Sequence, residues 1–535
     1  MPSPTPEPDH ADHIGRSVLT VSGLTLASRI TGLVRDLMTA RVFGDTALGS
    51  AFAAAFAIPN LFRRLFGEGA LSAAFLPAYT RLTDHDPRAA GSFASLTIAL
   101  LSLVTGGLTL LIELALLAVL AGAGTDPDRV LSVQLVMLLL PYMPLVCVAA
   151  ILGGMLQAHR RFAPWAAAPM LLNACMIAAA LPFFLVHDPD PRRWAYLIGA
   201  ATVISGVLQV AWSLYALRGH AHWTRTFAPA RDAAILMLKR MGPVLIGLGT
   251  LQVNSLLDTV IAMWPNWVGP TILGRPYPLD QASNSVLFYA QRLYQFPLGV
   301  FGIAVATVAF PALSRAANDP DAFARVLRRG VRLSLFITLP ATVGLALVRT
   351  DLVAVLYSGP GGGFSDAGVV RAAAVLLGYT GAIWAYSLNQ VLTRAFYARG
   401  DTTTPMRVAI AMVALNLVLN LTLIWPLKEA GLAWSTAISA VLQCVILTRV
   451  ARGRLIDAPL LDRPAALAIG RSALLTLAMG AAVAGLLLLC PANPAWGLRL
   501  GAVAASCILG ALLYAVGSLV TRAPELRWLL RRANA

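Results

Sequence analysis

The chain is poor in charge and nearly without lysine. Asp, Glu, Lys and Arg make up only 12% of its 535 residues, while 58% are hydrophobic. Soluble domains carry about 25% charged residues, so a soluble globular protein is excluded. The two lysines, Lys239 and Lys428, precede Arg240 and Glu429. Neither can close a G-x-x-x-x-G-K-[ST] phosphate loop, and no ATP motif is present. The Gly-rich stretch 360–364 lacks a lysine as well and reads as a flexible turn. Cysteine is scarce: Cys147, Cys175, Cys444, Cys490 and Cys507 all lie in apolar segments, none in a CxxC pair. They read as small buried hydrophobes. The histidines fall in the tail or in connections, and His220-x-His222 reads as an incidental loop pair. No large soluble domain is present. The longest polar connections, 219–240 and 265–282, read as loops. The opening MPSPTPEPDHADH has no basic region leading into a short apolar core, so it reads as a disordered tail and not as a cleaved signal.

What the chain has in abundance is long apolar runs. Fourteen lie near 17–40, 46–66, 92–124, 130–156, 164–187, 194–217, 241–264, 283–312, 333–348, 368–393, 407–427, 430–448, 466–490 and 497–521. A bilayer core needs about 20 apolar residues of helix. Barrel strands would alternate polar and apolar residues, which these runs do not. The expected fold class is an all-α integral membrane protein of about fourteen transmembrane helices. With the N-terminus placed in the cytoplasm, 29 of the 41 Lys and Arg residues fall on the cytoplasmic side and nine on the other. Arg29, Arg35 and Arg292 remain inside the membrane. Basic residues mark the cytoplasmic side, so both termini are expected there. The net charge of +16 is this topological signal spread over many short loops, not a nucleic-acid footprint.

A repeat underlies the runs. Ile204-Ser-Gly-Val-Leu-Gln209 matches Ile438-Ser-Ala-Val-Leu-Gln443, Arg218 falls on Arg452, and Pro77-Ala-Tyr-Thr-Arg81 falls on Pro311-Ala-Leu-Ser-Arg315, all at one offset. Pro169-Met170 and Pro405-Met406 are offset nearly alike. The offset spans six runs, an even number, so the copies share an orientation. Two parallel six-helix repeats plus two appended helices are expected. The divisions are a disordered cytoplasmic tail (1–14), an N-terminal six-helix lobe (15–220), a C-terminal six-helix lobe (221–455), the appended helices 13 and 14 (456–522) and a cytoplasmic tail (523–535). Like halves suit alternating access around a site between them near the midplane, though duplication also occurs in channels and scaffolds.

The chemistry lies in charges that the membrane should exclude. Each charge near a helix centre costs roughly 2.5–3.5 kcal/mol on insertion scales and so tends to face a bundle interior or a wet cavity. The first run carries Arg29, Arg35 and Asp36. Two guanidiniums against one carboxylate point to an anionic ligand. The second run ends in IPNLFRRLFGEGALSAAFLP (58–77), where Pro59, Gly67, Gly69 and Pro77 weaken a regular helix. Broken helices at membrane depth are tolerated where they line a cavity, which Asn60, Arg63, Arg64 and Glu68 would then face. Snorkelling cytoplasmic anchors are the alternative for Arg63 and Arg64. The eighth run contributes Arg292, for which simple pairing with a carbonyl or carboxylate is the alternative. Asp258, Asn416, Asn420 and Thr436 form a second polar set; Asn416 and Asn420 share a helix face. Interhelical hydrogen bonds are the plain reading of that set.

SRITGLVRD (28–36), IPNLFRRLFGEGALSAAF (58–75) and YAQRLYQFPLGV (289–300) resemble signature segments of the MurJ/MviN lipid II flippases, within the multidrug/oligosaccharidyl-lipid/polysaccharide exporter superfamily. The resemblance covers essentially all fourteen runs. It implies that Arg29, Arg35, Asp36, Arg63 and Arg292 serve a central cavity, with Asn60, Arg64 and Glu68 in the same motif. It implies a substrate, the undecaprenyl-pyrophosphate-linked peptidoglycan precursor, moved from the cytoplasmic to the periplasmic leaflet of the bacterial inner membrane. It further implies a groove on the last two helices for the lipid tail, and the cell-wall synthesis machinery as partner. No cofactor is implied beyond a sodium ion, at Asp258, Asn416, Asn420 and Thr436 with the Leu432 carbonyl. The chain departs from the family pattern at Gln291, Gln295 and Ser50, where acidic residues are common.

The physical chemistry agrees. Guanidiniums offer planar, bidentate recognition of pyrophosphate. The leading expectation is therefore a transporter and not an enzyme, powered by an ion gradient, membrane potential or product removal. The alternatives are a flippase for another polyprenyl-linked saccharide or a cation-coupled exporter of the same superfamily. Cationic walls suit cationic drugs poorly. A polytopic glycosyltransferase would need grouped carboxylates or a large outer loop, and an inert scaffold would have no use for buried arginines.

Overall fold

The computed structural model describes residues 8–67, 70–122, 126–187, 189–299, 303–359, 363–457, 459–491 and 494–533. Those residues are helical almost throughout. In chain order the helices are α1 (Pro8–Phe43), α2 (Ala47–Phe62), α3 (Ala70–His85), α4 (Pro87–Gly122), α5 (Pro127–Leu139), α6 (Tyr142–Ala158), α7 (Phe162–Ala180), α8 (Pro191–Ala216) and α9 (Arg231–Trp267). They continue as α10 (Ser283–Pro297), α11 (Ile303–Arg315), α12 (Pro320–Tyr357), α13 (Asp366–Thr380), α14 (Ile383–Ala398), α15 (Thr403–Leu427), α16 (Glu429–Arg454), α17 (Arg463–Leu488), α18 (Trp496–Val520) and α19 (Pro524–Ala533). Local sequence sets several starts. Asp126, Asp190 and Asp319 each cap a helix by accepting from backbone N–H groups in its first turn, and each is followed by proline at the first helical position. That position has no N–H to waste.

Ten of the fourteen apolar runs lie on helical spans long and apolar enough to cross a membrane, among the described residues. The other four fall on α1, α2, α9 and the α10–α11 pair. The first of these carries the Arg35–Asp36 charges, and α10 and α11 are each short. The full count of fourteen is thus not reproduced by that criterion. Three polar stretches differ from expectation. Residues 8–14 continue α1 rather than forming a disordered tail. Residues 231–240 belong to α9, leaving only 219–230 as a connection. The 265–282 connection holds an antiparallel two-strand hairpin, Thr271–Ile272 with Arg275–Pro276. Its turn residues Leu273 and Gly274 have φ of 49° and 76°, the left-handed pair that tight hairpins require.

The chain divides into two compact units, Met1–Thr259 with Asn266–Gly269, and Val260–Pro265 with Pro270–Ala535. Each repeats one packing scheme. In the first, α3 packs on α4, α2 on α5, α3 on α6, α4 on α6, α6 on α8, and α7 on α8. In the second, α11 packs on α12, α10 on α13, α11 on α14, α12 on α14, α14 on α16, and α15 on α16. These are the same partnerships eight helices later. The matched motif sits at one of them. A Cβ on Gly206 would come within 2.8 Å of the Tyr142 ring, so glycine there lets α6 and α8 close up. Its counterpart Ala440 accepts a hydrogen bond from Asn389 Nδ2 at 2.9 Å, tying α14 to α16.

The breaks repeat too. Arg63–Gly67 is wound as a π-helical turn between α2 and α3. Leu298 and Gly299, at the repeat offset from Arg64 and Leu65, are π-helical after α10. The appended α17 and α18 pack on each other and on α12. The tail expected at 523–535 is instead a docked helix. Glu525 of α19 is 1% exposed and accepts from Arg332 at 2.5 Å and Arg471 at 2.6 Å, while Arg329 and Arg332 stack on Trp528. A carboxylate held by two guanidiniums offsets the cost of its own burial.

Candidate functional site

In the first unit the charges gather where α1 meets α7. Arg35 donates from Nε and Nη2 to Asp36 Oδ1, at 3.0 and 2.7 Å. Its Nη1 donates to Asn173 Oδ1 at 2.9 Å, and the guanidinium lies over the Phe56 ring at 5.4 Å. Asn173, 4% exposed, returns to α1: its Nδ2 donates to Ser28 O at 3.1 Å and Thr31 Oγ1 at 3.0 Å. One amide thus holds Arg35 and the helix that carries it. Asp36 is 9% exposed, so an anion there would meet a guanidinium already aimed and partly neutralised.

The π-helical turn brings a second guanidinium. A π turn shifts side chains out of α register and often marks functional sites. Arg63 Nε donates to Asn60 Oδ1 at 2.9 Å, and Arg64 beside it is half-buried. Both Arg35 and Arg63 act electrostatically on the buried Tyr142 hydroxyl, which receives a 3.4 Å hydrogen bond from Gln209 Nε2. Arg35 with Asp36 and Arg63 with Asn60 thus form two pairs, both within electrostatic reach of Tyr142. Arg29 is not part of that set. It lies six residues before Arg35, about 120° away around the helix at 100° per residue, on an exposed face. Glu68 lies outside the described residues.

In the second unit Arg292 stacks over Phe288 at 4.4 Å and donates weakly to Gln295 Oε1 at 3.5 Å. Gln291 reaches the Tyr379 hydroxyl at 3.5 Å, and Tyr379 stacks on Tyr294 at 4.6 Å. Gln291 thus joins a neutral pair of tyrosines, while Gln295 offers Arg292 an uncharged acceptor. Asn416, Asn420 and Thr436 do come together. Asn420 Nδ2 donates to Asn416 Oδ1 at 3.0 Å, Asn416 Nδ2 to Thr436 Oγ1 at 3.3 Å, and Thr436 Oγ1 to Leu432 O at 3.0 Å. These are amide, hydroxyl and carbonyl oxygens, the donor type a hard cation takes. Asp258, 3% exposed in α9, belongs to the other unit. No three His, Cys, Asp or Glu residues among the described ones form a metal cluster.

Sequence reasoning missed Asn173, Tyr142 and Gln209. Asn173 is a single polar residue inside an apolar run, which is itself a signal. Gln209 closes the repeated ISGVLQ motif, and Tyr142 directly follows the Leu140–Pro141 break.

The family model for "Lipid II flippase MurJ" matches residues 39–500. That match begins beyond Arg29, Arg35 and Asp36. The chain is 32% identical to a probable lipid II flippase MurJ of Haemophilus influenzae over 86% of this chain and 90% of that protein. It is 30% identical to one from Rickettsia prowazekii, over 79% and 81%. Among solved structures it resembles a lipid II flippase MurJ in an inward closed conformation, with TM-score 0.76 and 23% identity over 94% of this chain and 99% of that one. An inward-facing MATE-family multidrug resistance transporter is similar in fold, with TM-score 0.65 at 12% identity over 82% of this chain and 98% of that one.

Proposed function

The chain belongs to the lipid II flippase MurJ family, and on that premise we propose that it carries lipid II from the cytoplasmic to the periplasmic leaflet of the bacterial inner membrane by alternating access. The observation that carries the reading is the set of guanidiniums among apolar helices. Asn173 and Asn60 hold the Arg35 and Arg63 guanidiniums, Arg35 also meets Asp36, and Arg64 stands beside Arg63. Arginine presents paired donors to a pyrophosphate. Arg292 is a further pyrophosphate ligand, and Arg29 guides the substrate from an exposed face of α1. The apolar α17 and α18 take the polyprenyl tail.

Transport draws on the membrane potential, an ion gradient or removal of product. A potential contributes about 2.3 kcal/mol per charge per 100 mV. Sodium bound by Asp258, Asn416, Asn420 and Thr436 would bias the transport cycle, and the Asn–Asn–Thr chain supports this by placing oxygens of α15 and α16 side by side. Both termini lie in the cytoplasm, as the distribution of basic residues supports.

Depletion of the protein in cells tests the function: lipid II should accumulate in the cytoplasmic leaflet. Accumulation of a different polyprenyl-linked saccharide would reassign the substrate. Orientation is tested in a cysteine-free background. A cysteine at position 273 should react with an impermeant reagent from outside, and one at 328 should not.

A further inference from the structure

The second half of α4 stands bare of the rest of its unit. Up to Thr109 the helix is packed. Thr97, Leu101, Thr105 and Thr109 are buried, and the three threonine hydroxyls donate to carbonyls one turn back. Beyond that point no residue of 110–121 is buried. Along this helix Leu103, Gly106, Leu110, Glu113, Leu117 and Leu120 recur at alternating steps of three and four. That is the seam of a helix that packs along another helix. Leu103, Leu110 and Leu117 are 72%, 59% and 51% exposed, and a Cβ built on Gly106 meets nothing within 4 Å. Glu113 sits in the seam with no hydrogen-bond or ion-pair partner among the described residues. It is nine residues, about 14 Å along the axis, from the end of the helix. Ionisable side chains at membrane depth ordinarily pair or face water; this one has no pairing partner among the described residues.

We propose that this seam docks a transmembrane helix of another membrane protein, one that presents an arginine or lysine at the depth of Glu113. Three observations converge on that occupant. The carboxylate asks for a cation, and attraction between opposite charges is far stronger away from water. Gly106 lets a neighbouring backbone approach closely, as small residues do between membrane helices. The alternating spacing keeps contact over five turns of a left-handed pair. A second copy of this chain fits less well. A two-fold axis along the membrane normal makes an interface self-complementary and would set Glu113 against itself, and like charges disfavour ionisation of both. The inference does not rest on the flippase reading, because no residue of the seam belongs to the guanidinium set.

The test uses the full-length protein in its native membrane, with a photo-crosslinking residue at position 110 or 117. Irradiation should yield an adduct with a different protein, mapped by mass spectrometry to a transmembrane segment that contains Arg or Lys. Glu113→Leu should lower the adduct at least about tenfold, equivalent to about 1.4 kcal/mol of association. Glu113→Arg combined with the partner's basic residue changed to Glu should restore it. Glu113→Leu removes a charge from lipid and does not impair insertion; in purified vesicles it should flip substrate at the wild-type rate. An adduct of twice the chain's mass, adducts with lipid alone, or a yield indifferent to Glu113→Leu would each overturn the proposal. So would loss of flipping in purified Glu113→Leu, which would place the carboxylate in the transport cycle.

Discussion

Asn173→Leu separates aiming a guanidinium from holding two helices together. The amide makes three hydrogen bonds, one from Arg35 and two to Ser28 O and Thr31 Oγ1. Interhelical hydrogen bonds in membrane proteins average about 0.6 kcal/mol, so losing all three costs about 2 kcal/mol of stability. The protein should still fold and reach the membrane. The bond to Arg35 involves a charged group, and such bonds are worth about 1.5–3 kcal/mol. If that energy serves to aim Arg35 at the pyrophosphate, its loss lowers transport roughly 10- to 150-fold. The assay is flipping of a labelled lipid II analogue in vesicles, with a melting curve in detergent alongside. Asn173→Asp keeps an acceptor for Arg35 but loses both donors and adds a negative charge, so it should bind the anion more weakly still. The decisive comparison is the double variant. If Asn173 acts through Arg35, Asn173→Leu on top of Arg35→Ala should cost transport nothing further. Additive losses, or wild-type flipping in the single variant, would refute the argument.

Three further outcomes are expected. Glu525→Ala leaves Arg332 and Arg471 facing each other with no carboxylate, and breaking a buried pair costs about 3–5 kcal/mol; a melting point unchanged from wild type would show that α19 is not clamped. Cysteine accessibility near Arg63 should change between sodium and choline, and Asp258→Ala should abolish the change; equal accessibility in both salts would reduce Asn416, Asn420 and Thr436 to interhelical hydrogen-bond partners. Burial pushes the Asp280 carboxyl up, but the hydrogen bond and charge of Arg371, together with hydrogen bonds from Ser283 and the Ala282 N–H, outweigh this and hold it below its ordinary 3.8. Its stabilising contribution is therefore present above about pH 4 and lost as pH falls below that, and Asp280→Asn should flatten the acid end of a melting-point profile while leaving pH 6–8 nearly parallel.

The architecture was legible because hydropathy is a one-dimensional property. Apolar runs mark helices wherever the bilayer is the solvent, and the common offset of Ser205 and Ser439 reported the duplication. Arg35, Asp36 and Arg63 stood out because a charge in such a run has few innocent explanations, and Asn60 because it shares the broken segment with Arg63. Asn173 was not, since its role depends on α7 lying against α1, 138 positions away in sequence. Arg29, six residues before Arg35, lies on a different face of α1, which the helical period alone makes readable. The C-terminal helix was hidden for a different reason. Its polar residues look solvated in sequence, whereas Glu525 is neutralised by arginines 193 and 54 positions away.

The π-helical breaks suggest the order in which this molecule acquired its parts. Both units carry one at the same place, at Arg63–Gly67 and at Leu298–Gly299, so the interruption was inherited from the single ancestor that was copied. The charges are not placed alike. Where the first copy has Arg63 and Arg64, the second has Pro297 and Leu298, and its arginine stands five residues earlier, opposite an isoleucine in the first copy. The bend is common to both halves, whereas each half places its arginines separately. Descendants of that ancestor that move other cargo should have kept the interruption and be free to have lost the arginines.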